Sequence, residues 1–345
     1  MQLGLPGSLY ISNRFIQVGV SDFRLEPRFH HELMQAGGAP LPPPLAAAEP
    51  HPLLDFPRLV AYLDPLLRNF LHLGRAAEMT LTLARALIER VHANRDGYLA
   101  AALLQLEQGA YTARHALFCA ILAIRMGEAL DFAEADTLHL VAASLTMNVG
   151  SIGLHDEMNH RRDAPTTMQW QQIKIHPLTS AAMLREAGVG TGRWHEGVLL
   201  HHEKRNGLGY PFGLRDDEIP RHAHLLHVLD IVCARLMPRG FRSRVPAPSA
   251  LAELYTSRHE PIDIELAAHL IRVLGLYPPG SFVELKNGDV ALVVHVGANA
   301  AAPWVSLADS DPQLLIDTSD ESCRIARAVN FPVDEKTVAL YQGCW

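Results

Sequence analysis

The sequence predicts a mainly α-helical protein with a small β-containing module at the N-terminus and a small β-rich extension at the C-terminus. Three observations support this fold class: helical periodicity through the middle of the chain, β-branched and aromatic residues near its start, and alternating apolar residues around an Asn-Gly dipeptide near its end. The chain has 345 residues, 48% of them hydrophobic, so it can bury a sizeable core and has room for two or three domains.

Each element follows from its local sequence. Residues 8–20, SLYISNRFIQVGV, favour one or two short strands. From Asp55 to about Leu274, apolar residues recur at three- and four-residue spacing, which is typical of amphipathic helices. The alternating runs of residues 281–297 meet at Asn287-Gly288, which tolerates the positive φ angles of a hairpin turn. We therefore divide the chain into a β-containing module, a proline-rich linker, connecting helices, a main helical domain and a β-rich extension, at residues 1–36, 37–54, 55–96, 97–275 and 276–345.

Composition excludes several classes of function. The net charge of -7 offers no electrostatic footprint for a nucleic-acid polymer, although a small anionic ligand needs only two or three local cations. The four cysteines form no CxxC pair, so we expect reduced thiols in a cytoplasmic protein. The N-terminus does not have the pattern of a signal peptide, and no run of eighteen apolar residues predicts a membrane span.

One segment combines residues that are typical of a binding site. His201-His202-Glu203 is followed by KRNGLGYPFGL, where glycines permit close approach of the backbone to a ligand and Pro211 stiffens the loop. The alternative interpretation is an ordinary polar helix end followed by a turn.

Further candidates lie on separate helical segments. His115, His176 and Asp230 could be brought together with the paired histidines, because metal sites in helical bundles gather ligands from several helices. The alternatives are core histidines with ordinary partners, and an ion pair between Asp230 and an arginine such as Arg235.

The string HHEKRNGLGYPFGLRDDEIPRHAHLLHVLD resembles the signature of HD-GYP proteins, and the resemblance covers roughly residues 100–297. It extends back through KIHPLTSAAML and AASLTMNVGSIGLHDEM to YTARHALF. This resemblance implies an HD-domain helical bundle. It also implies a phosphodiesterase that hydrolyses cyclic di-GMP at two or three metal ions, commonly iron or manganese.

The stretch SLTMNVGSIGLHDEMNH, residues 144–160, departs from the family pattern. When Gly150 and Gly153 are aligned with the family glycines, Met147 and Asn148 fall on the His-Asp dyad that defines the family. Ser151 falls on the family lysine. His155-Asp156 then lies beyond the ligand positions, and we expect it at a near-surface helix start with Asp156 as the N-cap.

Other positions match the family one by one. The resemblance implies metal ligands at His115, His176, His201, His202 and Asp230. It implies contacts to the cyclic dinucleotide from Gly209, Tyr210, Pro211, Arg239 and Arg242. Asn206 replaces the usual aspartate of the loop. Without the family context, the two arginines would be interpreted as part of a solvated basic turn.

The altered dyad has a chemical consequence. The family aspartate bridges two metals, whereas Asn148 is neutral and Met147 offers a thioether, which suits copper(I) rather than iron or manganese. We therefore expect at most one transition metal ion per chain (iron, manganese or zinc), with none as the alternative. A two-metal phosphodiester mechanism needs both ions.

Three functions follow from these observations. The first is a degenerate HD-GYP protein that responds to cyclic di-GMP or a related cyclic dinucleotide, or binds a protein partner, with little or no hydrolysis. The second is a metal-dependent cyclic di-GMP phosphodiesterase with an altered, mononuclear site. The third is a scaffold that retains only the fold. A homodimer is compatible with each of them.

Overall fold

A computed structural model describes residues 2–3, 9–10, 40–45, 51–105, 109–161, 163–238, 245–256, 262–307 and 314–345. The predicted fold class is confirmed: a helical body is followed by a small antiparallel sheet. Near the N-terminus, β1 (Gln2–Leu3) pairs antiparallel with β2 (Leu9–Tyr10).

The helical body begins at Pro52, inside the segment predicted as linker, and ends at Leu274, as predicted. His51 accepts a hydrogen bond from the Leu53 amide, and Pro52 lacks the N–H that a first helical turn leaves without a partner. The described helices of the body, α1 to α11, are Pro52–Arg68, Ala76–Ala93, Arg95–Leu104, Tyr111–Ala129, Glu134–Thr146, Ile152–His160, Thr167–Glu186, Arg193–Leu200, Arg221–Leu236, Ala247–Thr256 and Ile264–Leu274.

One continuous apolar core runs through the helical body from α1 to α11, with α4 buried along nearly its whole length. The connecting helices share this core with the main domain. The buried Asp55 connects these helices through two contacts. Its carboxylate accepts a hydrogen bond from the Tyr98 hydroxyl at 2.6 Å and lies 3.1 Å from Arg90 Nε. A carboxylate can be buried at tolerable cost only with such partners.

The C-terminal sheet has the strand order β6-β5-β4-β3-β7 with antiparallel neighbours. The hairpin predicted at Asn287-Gly288 is confirmed, because it joins β3 to β4 and Gly288 has a φ of 92°. Phe282 and Leu292 extend the helical core into the sheet. The strands β3 to β7 are Phe282–Leu285, Val290–Asn299, Ala302–Leu307, Ile316–Asp317 and Ile325–Val329, and the terminal helix α12 is Glu335–Leu340.

One described segment, Glu134–Asn159, has the length and apolar character of a membrane span, but 72% of its apolar window is buried inside the protein. The structure divides this segment into α5, a single 3₁₀ turn at Val149–Ser151, and α6. Such burial is typical of helices in a protein core.

Candidate metal centre and ligand cavity

The turn between α5 and α6 holds Met147 and Asn148, the two positions predicted to depart from the family pattern. Met147 is fully buried in the apolar core, whereas Asn148 lines a cavity. The turn lies close to α7: the Gly150 amide donates to the Ser180 hydroxyl at 3.0 Å, and a Cβ on Gly150 would lie 2.7 Å from the Ser180 nitrogen. Glycine at this position therefore allows the close approach that brings Asn148 to the cavity.

Three histidines cluster at this cavity, and two of them, His176 and His202, line it. His176 lies within α7, and His201 and His202 directly follow α8. Their ligand atoms lie within 4.8 Å of one another. The structure thus brings His176 together with His201, which lies 25 positions later in the sequence, and with its direct neighbour His202.

Backbone contacts fix the tautomers of two of these histidines. Nδ1–H of His176 donates to the Ile173 carbonyl and Nδ1–H of His201 to the Val198 carbonyl, each at 2.6 Å. A carbonyl only accepts, so both Nδ1 atoms carry the proton and both Nε2 atoms do not. The two Nε2 atoms face each other at 3.1 Å. Two lone pairs at that distance call for a shared cation, and the arrangement fits a metal ion bound by imidazoles.

Burial keeps these imidazoles neutral. It lowers the pKa of His176 and of His201 from 6.5 to about 3, with the neighbouring histidines acting in the same direction. Burial and the adjacent histidines also lower the pKa of His202 well below 6.5. Neutral imidazole is the form that binds metals, so the cluster is prepared for an ion at neutral pH.

The glycine-rich loop is attached to this cluster through Glu203. The fully buried carboxylate accepts hydrogen bonds from the Phe212 amide at 2.6 Å and the Leu214 amide at 2.9 Å, and burial raises its pKa. Gly209 packs so closely that a Cβ would lie 2.3 Å from the Lys204 nitrogen. This packing sets Tyr210 over His202, with 4.7 Å between the ring centroids.

A second group of metal-ligating atoms comes from His115, Cys119 and Asp230. His115 Nε2 lies 3.5 Å from Asp230 Oδ1, so the aspartate pairs with this histidine, while Arg235 contacts Glu253. Cys119 lies one turn after His115 on α4, and the spacing alone could have identified it. Burial raises the pKa of the Cys119 thiol well above 9, with Cys233 adding to the effect, so the thiol is protonated.

The cavity has a volume of about 450 Å³ and connects both groups. His115, Asn148, His176, His202 and Asp230 line it together with aromatic residues that sequence reasoning did not single out, notably Tyr111 and Trp170. Trp170 is about half exposed, at 49%. The cavity therefore combines a polar floor with an aromatic wall.

The expectation for His155-Asp156 is wrong in two respects. Both residues lie inside α6, whose N-cap is Ser151, so Asp156 does not cap the helix. The Asp156 carboxylate instead accepts from the Thr112 hydroxyl at 3.0 Å and contacts Arg68. His155 lines the cavity, and its ring centroid lies 5.6 Å from that of His176. The three-residue offset between helix start and His155 turns it inward.

The other residues predicted to contact a ligand lie in or near the glycine-rich loop, or outside the described residues. Gly209 and Pro211 belong to the loop beside the cavity, and only Tyr210 of the three lines it. Asn206 accepts from the Leu208 amide at 3.0 Å within the same loop. Arg239 and Arg242 lie outside the described residues.

Comparison with known proteins shows what part of the chain resembles. Residues 99–266 match the family model described as HD domain. Relatives include a cyclic di-GMP phosphodiesterase of Pseudomonas aeruginosa, 24% identical over 54% of this chain and 44% of the relative. Another is a 3′3′-cGAMP-specific phosphodiesterase of Vibrio cholerae, 28% identical over 49% of this chain and 36% of the relative. A third is the cyclic di-GMP phosphodiesterase PdeB of Borreliella burgdorferi, 20% identical over 60% and 55%.

The solved structure of Bd1817, an HDG“Y”P protein from Bdellovibrio bacteriovorus, superposes with a TM-score of 0.53 and 16% identity, covering 65% of this chain and 72% of that one. At this identity the likeness concerns the fold. Residues 99–266 match an HD domain, and the comparisons together support the HD-GYP family.

The chain spans between about a third and just over half of the length of these three relatives. Within the matched region lie both metal-ligating groups and the glycine-rich loop. All of the described residues that line the cavity therefore lie within this matched region.

Proposed function

We propose that this HD-GYP protein binds cyclic di-GMP, or a related cyclic dinucleotide, in the cavity and hydrolyses it slowly or not at all. The observation that carries the proposal is the state of the dyad positions. Met147 is buried in the apolar core, away from the cavity, and the neutral Asn148 takes the place of a bridging carboxylate. Without a carboxylate at this position, the repulsion between two closely spaced cations is offset less.

One metal ion fits this arrangement, on His176, His201 and His202. When bound, such an ion supplies positive charge and Lewis acidity. The protein holds the three imidazoles neutral and oriented through the carbonyls behind His176 and His201. The second group fits an ion poorly, because the Cys119 thiol must lose its proton against burial and Asp230 already pairs with His115.

The aromatic wall suits the purine bases of a cyclic dinucleotide. Trp170 borders the cavity with about half of its surface exposed, and Tyr210, which also lines the cavity, lies over His202. Stacking of a base on an aromatic side chain is worth roughly 1–3 kcal/mol. We therefore assign Trp170 a stacking role that the sequence alone did not suggest.

Calorimetric titration with cyclic di-GMP tests the proposal. Trp170→Ala should weaken binding by about 10- to 100-fold, since the stacking energy is lost. Met168→Ala is the matched control: this side chain is 70% exposed on the same helical turn and does not line the cavity. Equal losses in both variants would place the ligand elsewhere, and absence of binding at millimolar ligand would favour the protein-partner or scaffold alternative.

The resemblance adds a second binding test. Arg239 and Arg242 match family positions that hold the phosphates, and a charge-assisted hydrogen bond contributes roughly 1.5–3 kcal/mol. The Arg239→Ala/Arg242→Ala variant should bind cyclic di-GMP on the order of a hundredfold more weakly. An Arg85→Ala/Arg272→Ala variant removes the same charge from exposed positions on α2 and α11 and should bind normally.

The second candidate function is slow hydrolysis, which the phosphodiesterase names of the relatives favour. A turnover assay with added iron or manganese separates it from pure binding. Turnover that disappears in His176→Ala would support an altered, mononuclear enzyme. Binding without turnover under all metal conditions would support the effector function.

A further inference from the structure

Helix α6 presents an unexpected polar face to the cavity. His155, Met158 and Asn159 line it, at the spacing of three and four residues that places side chains on one side of a helix. The side-chain oxygen of Asn159 is buried and accepts no hydrogen bond from the described part of the chain. A face that merely packed against α7 would be apolar, so this one calls for a polar or ionic occupant.

The ring geometry extends the histidine cluster to His155. The centroid of His176 lies 5.1 Å from that of His201, 4.9 Å from that of His202 and 5.6 Å from that of His155. With metal–nitrogen distances of about 2.0–2.1 Å, tetrahedral ligation places two imidazole centroids about 5 Å apart. The His155 ring, perpendicular to that of His176 at 88°, lies at nearly that separation.

We propose that His155 is the fourth imidazole ligand of the metal centre, which rests on the metal site of the proposed function. His155, His176, His201 and His202 would then form a closed four-histidine site. Tetrahedral sites with four protein ligands are structural, whereas catalytic sites keep one position open for water or substrate. Closure by His155 would therefore remove the position at which a nucleophilic water binds, in addition to the loss of the bridging carboxylate.

Four neutral nitrogen ligands suit zinc best among the candidate ions, since manganese prefers oxygen ligands. His155 would supply a ligand from α6, but as a neutral imidazole it would not replace the charge of the bridging carboxylate. The ligand atoms of His176, His201 and His202 already lie within 4.8 Å of one another, and the His155 ring, which neighbours that of His176, must move to join them.

X-ray absorption spectroscopy of the full chain loaded with one zinc ion tests this assignment. We expect four imidazoles in the wild-type protein and three, with one oxygen ligand from water, in His155→Ala. Zinc affinity, measured by competition with a chelator, should fall by at least roughly 10- to 100-fold, which is the usual loss when a group that hydrogen-bonds to a metal ligand is removed. His155→Cys should restore affinity and add one zinc–sulfur distance near about 2.3 Å.

His139→Ala is the matched control, because it removes a half-buried histidine that does not line the cavity and should leave four imidazoles. An unchanged imidazole count and zinc affinity in His155→Ala would overturn the assignment, as would a wild-type protein that takes up no zinc. Calorimetry with cyclic di-GMP on the same samples reports on the proposed function independently, so the two can fail separately.

Discussion

The Nε2 atoms of His176 and His201 lie 3.1 Å apart with their lone pairs directed at each other, because both Nδ1–H groups donate to backbone carbonyls. This relationship is unfavourable without a cation and favourable with one. Metal binding is therefore a property of the folded chain, in which the backbone orients both imidazoles, rather than of a flexible loop.

The purified protein should hold one tightly bound transition metal ion per chain, measured by inductively coupled plasma mass spectrometry. His176→Ala should reduce this to nearly none, whereas His139→Ala, a half-buried histidine on α5 outside the cavity, should leave it unchanged. Two ions at full occupancy would show that the buried Cys119 thiol and Asp230 bind metal after all, against the cost of deprotonating that thiol.

Restoring the dyad should raise the metal content above one ion per chain. Met147→His with Asn148→Asp returns an imidazole and a carboxylate, and Ser151→Lys completes the family pattern. Because Met147 is fully buried, the metal-free variant should be less stable by roughly 1–3 kcal/mol. Met147→Leu with Asn148→Asp is the control that keeps the core apolar. A folded variant with no extra metal would show that the pocket has diverged beyond these positions.

The loop glycine at position 209 should tolerate no side chain. In Gly209→Ala the Cβ would meet the Lys204 nitrogen at 2.3 Å and the Glu203 Cα at 2.6 Å, so the backbone must move. We expect a lower melting temperature and weaker binding of cyclic di-GMP. Gly190→Ala has open space around its Cβ and should change stability by less than about 1 kcal/mol. Similar melting temperatures for the two variants would contradict the close packing of the loop.

Acid should destabilise the protein through buried histidines outside the metal centre. Burial lowers the pKa of His195 from 6.5 to about 4, with Arg185 adding to the effect. The unfolded chain therefore binds this proton more readily, so the stability that His195 contributes is present above pH 6.5 and falls as the pH decreases toward 4.

Between pH 7 and pH 5 this one group should cost about 2 kcal/mol of unfolding free energy. His222, whose pKa burial also lowers to about 4, should act in the same direction. Urea unfolding at the two pH values measures the loss, and His195→Leu should make it smaller. An equal pH dependence in the wild type and the variant would exclude His195 as a source.

The sequence predicted the helical body, its end at Leu274 and the hairpin at Asn287-Gly288, because periodicity and turn chemistry are local signals. It did not predict the place of His155, because that depends on where α6 begins and on how close α7 lies to it. Sequence spacing could have added Cys119, one turn beyond His115. The exposure of Trp170 beside the cavity follows only from tertiary packing.

Glu203 is the direct chain neighbour of His202, and its carboxylate holds the amides of Phe212 and Leu214. One buried residue therefore joins the histidine cluster to the glycine-rich loop. If a nucleotide displaces this loop while a metal ion occupies the cluster, each ligand would change the binding free energy of the other by the same amount.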